Sequence, residues 1–129
     1  MVEIQVQSRQ RTDFIDLTGQ VAAAVRDLGV TDGAVVVFNP HTTAAVTINE
    51  GADPDVVRDM TAALDKLVPW EDGYHHAEGN AAAHIKASLF GSSVTVLVKN
   101  GKLQLGTWQK IWFCCFDGPR QRKVWVGKP

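Results

Sequence analysis

The chain has 129 residues, of which 45% are hydrophobic and 21% are charged, and its formal net charge is −1. This length and composition predict one globular domain over residues 1–129 with a buried core. They exclude a membrane partner, since no stretch approaches the roughly 18 apolar residues of a span, and the scattered basic residues, without an aromatic-laced patch, argue against nucleic acid.

The first predicted elements are a strand, a helix and two further strands. Alternation of apolar and polar residues predicts a half-buried strand over 2–6. Apolar residues at helical spacing predict a helix over 18–28, with Gly29 as its stop. The β-branched run over 33–39 and the stretch over 44–49 predict two more strands, the first of them buried.

Two helices follow. The clearer one has Asp53 as N-cap and Pro54 at its first position, and it ends before Pro69. A loop then leads to Asn80, which we expect to cap a short helix over 81–90 that ends at Gly91.

The C-terminal third is predicted to consist of strands joined by tight turns. These strands are SVTVLVK (93–99), KLQLG (102–106), TWQKIWFCCF (107–116) and RKVWV (122–126), with an Asn100-Gly101 hairpin signal after the first. The order of strands and helices predicts an α+β domain, with helices on one face of a mainly antiparallel or mixed sheet.

The N-terminus and the cysteines both fit a cytoplasmic protein. The opening residues MVEIQVQSRQ lack the apolar run of a signal peptide. Cys114 and Cys115 are adjacent in a predicted strand, where neighbouring side chains point to opposite faces and cannot bridge each other. We therefore expect two buried, reduced thiols.

Residues 74–90, YHHAEGNAAAHIKASLF, hold three of the four histidines. His76 lies in the predicted loop and His84 on the second turn of the helix, so their spacing is not the rigid HxxxH of a metal site. Each could be a boundary residue that makes one hydrogen bond. The alanines around His84 leave the helix start sterically open, and its backbone N–H groups suit a phosphate.

The stretch NPHTTAAVTINE, residues 39–50, offers a similar choice. His41 follows a buried strand, and the hydroxyls of Thr42 and Thr43 can donate or accept hydrogen bonds. A turn followed by a strand explains the same residues. Glu50, next to Asn49, is either a solvated acid or a carboxylate that binds a metal or acts as a base.

Two polar residues stand out near the C-terminus. Gln109 places an amide in an otherwise apolar strand, where it needs a partner. Arg120 follows a Gly-Pro turn, where its guanidinium could clamp a phosphate or a carboxylate.

Taken together, HTTAAVTINE, YHHAEGNAAAHIKASLFG, GKLQLGTWQKI and DGPRQRKV resemble the YjbQ family, whose members are linked to a secondary thiamine-phosphate synthase activity. The resemblance covers nearly the whole chain. It implies a large mixed, mainly antiparallel sheet with helices packed on one face, assembled as a homotrimer. The positions that match the polar motifs of the family are His41, Thr42, Thr43, Asn49, Glu50, His76, Asn80, His84, Gln109 and Arg120, whereas His75 falls on a variable position.

The resemblance also implies roles for these residues. His41, His76 and His84 would hold a divalent metal ion, zinc or magnesium. Glu50, Gln109 and Arg120 would be catalytic. The remaining positions, with Arg120, would bind a small phosphorylated substrate: Thr42, Thr43, Asn49 and Asn80. The implied reaction joins an aminopyrimidine methyl diphosphate to a thiazole phosphate and releases diphosphate.

Two other functions fit the same residues. A metal-dependent hydrolase would use the three histidines to activate water, with Glu50 as base. A non-catalytic trimer would bind a small ligand or a metal without turnover. One departure weakens the activity inference: Cys115 stands where the family pattern commonly has glutamate.

Overall fold

The computed structural model describes all residues from Met1 to Pro129. Eight strands and three helices follow one another in the order strand, strand, helix, two strands, two helices, four strands. Their bounds are β1 Val2–Gln7, β2 Asp13–Asp16, α1 Thr18–Asp27, β3 Gly33–Phe38, β4 Ala44–Glu50, α2 Pro54–Leu67, α3 Ala81–Phe90, β5 Ser93–Lys99, β6 Lys102–Leu103, β7 Gln109–Cys115 and β8 Gln121–Gly127. The predicted α+β class is confirmed.

The strands form two antiparallel sheets. The five-stranded sheet has the order β1-β8-β3-β5-β6, and the three-stranded sheet has the order β2-β7-β4. In the first, Val37 of β3 lies opposite Val94 of β5 and Val126 of β8. In the second, β7 is the central strand and pairs along its whole length with β4, from Ala44 opposite Cys115 to Glu50 opposite Gln109.

The three-stranded sheet separates two apolar layers. Inward-facing residues of β4 and β7, such as Val46 and Phe113, join the main core with α1 and the five-stranded sheet. Their neighbours, such as Ala45 and Cys114, face the other way and pack with Ala83 and Ala87 of α3. This alternation is the period-2 pattern of a strand buried on both faces.

Most predicted elements are confirmed within a few residues. The side chain of Asp53 accepts a hydrogen bond from the backbone N–H of Asp55 (2.9 Å) and caps α2 as expected. Asn100 and Gly101 have positive φ values of 54° and 73°, as the predicted hairpin turn requires. Cys114 and Cys115 are both buried and reduced.

Three details differ from the sequence-based expectation. Strand β2 was not predicted, because it is short and carries Asp13 and Asp16 at its ends, residues that are depleted in strands. Only residues 102–103 of the stretch 102–106 form a strand. Asn80 precedes α3, but its side chain does not cap the helix.

None of the three helices is long and apolar enough to cross a membrane.

Candidate functional site

A cleft lined entirely by non-hydrophobic residues opens where β4, α3 and β8 begin. We call it the polar cleft. It has a volume of about 360 Å³ and is lined by Pro40, His41, Thr42, Thr43, His76, Glu78, Asn80, His84, Arg120 and Arg122. Seven of the ten residues that match the family motifs therefore come together here: His41, Thr42, Thr43, His76, Asn80, His84 and Arg120.

The turn between β3 and β4 is held by Asn39, which is only 1% exposed. Its amide nitrogen donates to the carbonyl oxygens of His41 (3.0 Å) and Ala44 (2.6 Å), and its Oδ1 accepts from the backbone N–H of His41 (3.1 Å). One side chain thus closes the turn and fixes the position from which His41 reaches the polar cleft.

His41 is held as a neutral imidazole. Burial lowers its pKa, and the nearby positive charges of Arg122, Lys123 and Arg120 favour the neutral form as well. Its Nε2 accepts a hydrogen bond from the backbone N–H of Lys123 (3.0 Å), which requires that nitrogen to be unprotonated. The ring also packs edge-on against Phe113.

Arg122 is a buried cation without a counter-ion. Its side chain is almost fully enclosed, with 4% of the residue exposed, and none of the ion pairs in the chain includes it. Nη2 donates to Thr43 Oγ1 (2.7 Å), but Nε has no hydrogen-bond partner. Buried charges are normally paired, because an isolated one loses its hydration without compensation.

Asn80 has the second unsatisfied group. Its Nδ2 donates to Asp117 Oδ2 (2.9 Å), while its buried Oδ1 has no partner. This contact explains why Asn80 does not cap α3. The start of α3 is left without any side-chain cap, and the backbone N–H of Ala83 donates instead to the carbonyl oxygen of Asn80 (3.0 Å). Arg122 Nε and Asn80 Oδ1 are the only buried side-chain polar atoms in the chain without partners, and both residues line the polar cleft.

Arg120 is anchored at both its backbone and its side chain. Its Nη2 pairs with Asp117 Oδ2 (2.9 Å), the same oxygen that accepts from Asn80. Its backbone N–H donates to Ser8 Oγ (2.8 Å), and its carbonyl accepts from the same hydroxyl (3.1 Å). Ser8 is 1% exposed, so this contact ties the start of β8 to the end of β1.

The rings of His76 and His84 pack edge to face, with their centroids 5.2 Å apart. His76 Nε2 lies 3.9 Å from the carboxylate of Glu78, and His84 lies on the first turns of α3. His75 does not line the polar cleft.

The predicted metal site is wrong. No group of three or more histidine, cysteine, aspartate or glutamate side chains in the chain is arranged to hold a metal ion. His41, His76 and His84 share the polar cleft, but the Nε2 of His41 is already occupied by the backbone N–H of Lys123. The zinc or magnesium ion that the resemblance implied therefore has no ligand set.

Asn49, Glu50 and Gln109 lie away from the polar cleft. Glu50 pairs with Gln109 at the opposite end of β4 and β7 from Ala44, about 20 Å along the strand at 3.3–3.4 Å per residue. There Glu50 accepts from the backbone N–H of Asp53 (3.3 Å), and Gln109 accepts from that of Gly106 (2.8 Å). These contacts shape local turns.

Sequence reasoning missed two charged residues of the polar cleft, Glu78 and Arg122. The sequence did contain an indication of Arg122. In the strand QRKVWVG it alternates with Val124 and Val126 on the inward-facing side, where a charged residue is unexpected. Glu78 lies in a loop whose course no pattern indicates. With Arg122 included, two arginines and one carboxylate line the polar cleft. Because Asp117 pairs with Arg120, the cation that lacks a counter-ion is Arg122, and it favours an anion.

Comparison with known proteins gives one consistent result. Residues 2–128 match the family model described as UPF0047 protein YjbQ-like. The UPF0047 protein YugU of Bacillus subtilis is 49% identical over 124 residues, covering 95% of this chain and 94% of YugU. The UPF0047 protein MJ1081 of Methanocaldococcus jannaschii is 44% identical, covering 98% of this chain and 91% of that protein.

Solved structures agree with the sequence comparison. A YjbQ/UPF0047 family protein of Clostridium acetobutylicum, described as uncharacterized, superposes with a TM-score of 0.96 at 55% identity, covering 98% of each chain. A conserved hypothetical protein of Thermus thermophilus, TT1486, superposes with a TM-score of 0.93 at 40% identity over both full chains.

These comparisons overturn the predicted thiamine-phosphate synthase function. The matching family and relatives are identified only as UPF0047 proteins, and thiamine-phosphate synthase is a different fold and family. The geometry agrees, because Glu50 and Gln109, which that reaction needed as catalytic groups, lie outside the polar cleft. The transferase prediction is therefore wrong.

Proposed function

The chain belongs to the UPF0047 family of YjbQ-like proteins, and from that premise we propose that its polar cleft binds a small phosphorylated molecule. The observation that carries the proposal is Arg122, a buried guanidinium with no carboxylate partner and an Nε that makes no hydrogen bond. A bound anion would supply the missing counter-charge.

Two features of the polar cleft suit a phosphate. Arg122 and Arg120 supply guanidinium groups, which suit phosphate because several N–H groups lie in one plane. The start of α3 directly follows the lining residue Asn80 and has no side-chain cap, so the positive end of the helix dipole lies next to the polar cleft. A phosphate can accept from both guanidinium groups at once, since its oxygens point in different directions.

The unpartnered oxygen of Asn80 favours phosphate over a carboxylate. This Oδ1 is an acceptor, so a ligand that satisfies it must also carry a donor. A phosphate ester has a second pKa of about 6, so a fraction of it carries an O–H group near neutral pH. An ionised carboxylate has only acceptors.

The proposal is tested by isothermal titration calorimetry with inorganic phosphate in a chloride buffer. We expect wild type to bind at millimolar concentration or below. Arg120→Met should weaken binding by about 1.5–3 kcal/mol, the range for a hydrogen bond to a charged group. Lys123→Met is the matched control, because Lys123 is a cation three residues further along the chain, on β8, and does not line the polar cleft. Equal affinity in wild type and Arg120→Met would contradict the assignment.

We further propose that the chain assembles as a homotrimer, as the family resemblance implies. Support comes from the outer face of the five-stranded sheet, where Phe38 is 41% exposed and stacks on Trp125, with Leu97, 67% exposed, on the same sheet. Exposed apolar patches of this kind mark association surfaces. Sedimentation equilibrium at micromolar concentration should give three times the mass of one chain, and a stable monomer would contradict the assembly.

A further inference from the structure

A second cavity adjoins the polar cleft. We call it the side cavity. It has a volume of about 480 Å³ and is lined by His41, Thr42, Ala44, His84, Ala87, Ser88, Gly91 and Ser92. Three of these residues, His41, Thr42 and His84, also line the polar cleft, so the two spaces share a wall. A ligand held by its phosphate in the polar cleft therefore has room to extend past His84.

The lining of the side cavity differs in charge from that of the polar cleft. It has no lysine, arginine, aspartate or glutamate, and its only titratable side chains are His41 and His84. The Nε2 of His41 accepts a hydrogen bond from the backbone N–H of Lys123 (3.0 Å), so this ring carries no charge, and burial lowers its pKa. A charged group in the side cavity would find no fixed counter-charge, so its occupant is uncharged.

The side cavity also has hydroxyl groups but no phenylalanine, tyrosine or tryptophan. Thr42, Ser88 and Ser92 are exposed, and their hydroxyls can each donate and accept hydrogen bonds. Ser88 donates to the carbonyl oxygen of His84 (3.0 Å), which leaves its lone pairs available. Without a large aromatic side chain there is no platform on which a base could stack.

We infer that the ligand is a phosphate monoester of a small hydroxylated group, a polyol or a sugar, whose phosphate binds in the polar cleft and whose uncharged part lies in the side cavity. This inference rests on the proposed phosphate binding. It adds the chemical class of the organic group, which the polar cleft alone does not specify.

Three probes separate the two proposals in wild type: inorganic phosphate, ribose 5-phosphate and phenyl phosphate. We expect ribose 5-phosphate to bind about tenfold or more tightly than inorganic phosphate, the gain from one or two additional neutral hydrogen bonds. Phenyl phosphate should gain less, because it has no hydroxyl groups.

Ser92→Phe fills the side cavity and should reduce the affinity ratio of ribose 5-phosphate to inorganic phosphate to about one, through lost sugar contacts. Ser93→Phe is the matched control, since Ser93 is the next residue, also exposed, and outside the cavity. Ser88→Phe is a second blocking variant, on an exposed position of α3.

The outcomes are distinct. Failure of inorganic phosphate to bind wild type would remove the proposed function and this inference with it. Phosphate binding with an equal affinity for ribose 5-phosphate would overturn only the inference. A preference for phenyl phosphate over ribose 5-phosphate would also overturn it, because apolar contact would then select the ligand.

Discussion

Replacing Arg122 together with Thr43, the only hydrogen-bond partner of its side chain, should stabilise the protein while abolishing phosphate binding. Arg122 is buried, lacks a counter-ion, and its side chain donates a single hydrogen bond, to Thr43. Arg122→Met combined with Thr43→Val removes both polar partners and keeps the shapes similar. No buried group then loses its partner, so the cost of leaving the Thr43 hydroxyl buried without a hydrogen bond does not arise.

The expected magnitude follows from two opposing contributions. A hydrogen bond to a charged group contributes about 1.5–3 kcal/mol, whereas burying an ion without compensation costs several kcal/mol. Apolar replacement of buried charged groups is often neutral or stabilising by about 1–4 kcal/mol. We expect the double variant to gain about 1–3 kcal/mol in its free energy of unfolding in phosphate-free buffer.

Urea unfolding with and without phosphate measures both effects. Wild type should gain about 2.7 kcal/mol at a phosphate concentration about one hundred times its Kd, and the double variant should gain nothing. Lys123→Met should respond to phosphate as wild type does, because its side chain lies outside the polar cleft. The reasoning is refuted if the double variant is less stable than wild type in phosphate-free buffer, since Arg122 would then be a structural cation.

Three further predictions follow from the site and the core. The pKa of His41 is lowered in the folded chain, so its contribution to the free energy of unfolding should be complete above pH 6.5 and decrease as the pH falls below that value. Arg122→Met should raise the pKa of His41 in an NMR titration. An unchanged pKa would contradict the contribution of the Arg122 charge. Burial raises the pKa of the Cys114 thiol, so a thiol reagent should modify it only at the rate of unfolding, and rapid modification of the native protein would disprove its burial. His84→Ala should weaken phosphate binding measured by calorimetry while His75→Ala leaves it unchanged, and equal losses would contradict the boundary of the polar cleft.

The local patterns in the sequence were sufficient for most of the fold. Asp53 and Pro54 mark the start of α2 because capping depends on residues a few positions apart. Strand β2 escaped prediction because its stability comes from pairing with β7, about one hundred residues later. The four residues of β2 alone do not show a pairing with a strand so far along the chain.

The members of the site were predictable in part, since seven of the ten predicted residues line the polar cleft, but their contacts were not. Asn80 was expected to cap α3, yet its amide donates to Asp117, 37 residues away, and its Oδ1 is left without a partner and the helix without a side-chain cap. The three histidines converge as the motifs indicated, but the backbone of Lys123 occupies Nε2 of His41. Motif spacing shows neither contact, because both depend on how β8 lies beside the polar cleft.

The most direct test of the central claim is an NMR titration of wild type with inorganic phosphate that follows the Nε–H resonance of Arg122. Nε has no hydrogen-bond partner in the chain, so its environment should change when an anion pairs with the guanidinium. We predict a saturable shift of this resonance together with shifts of the backbone amides of Asn80 and His84, which line the polar cleft. If the Nε–H resonance stays unchanged up to roughly tens of millimolar phosphate, Arg122 does not bind an anion and the claim is contradicted.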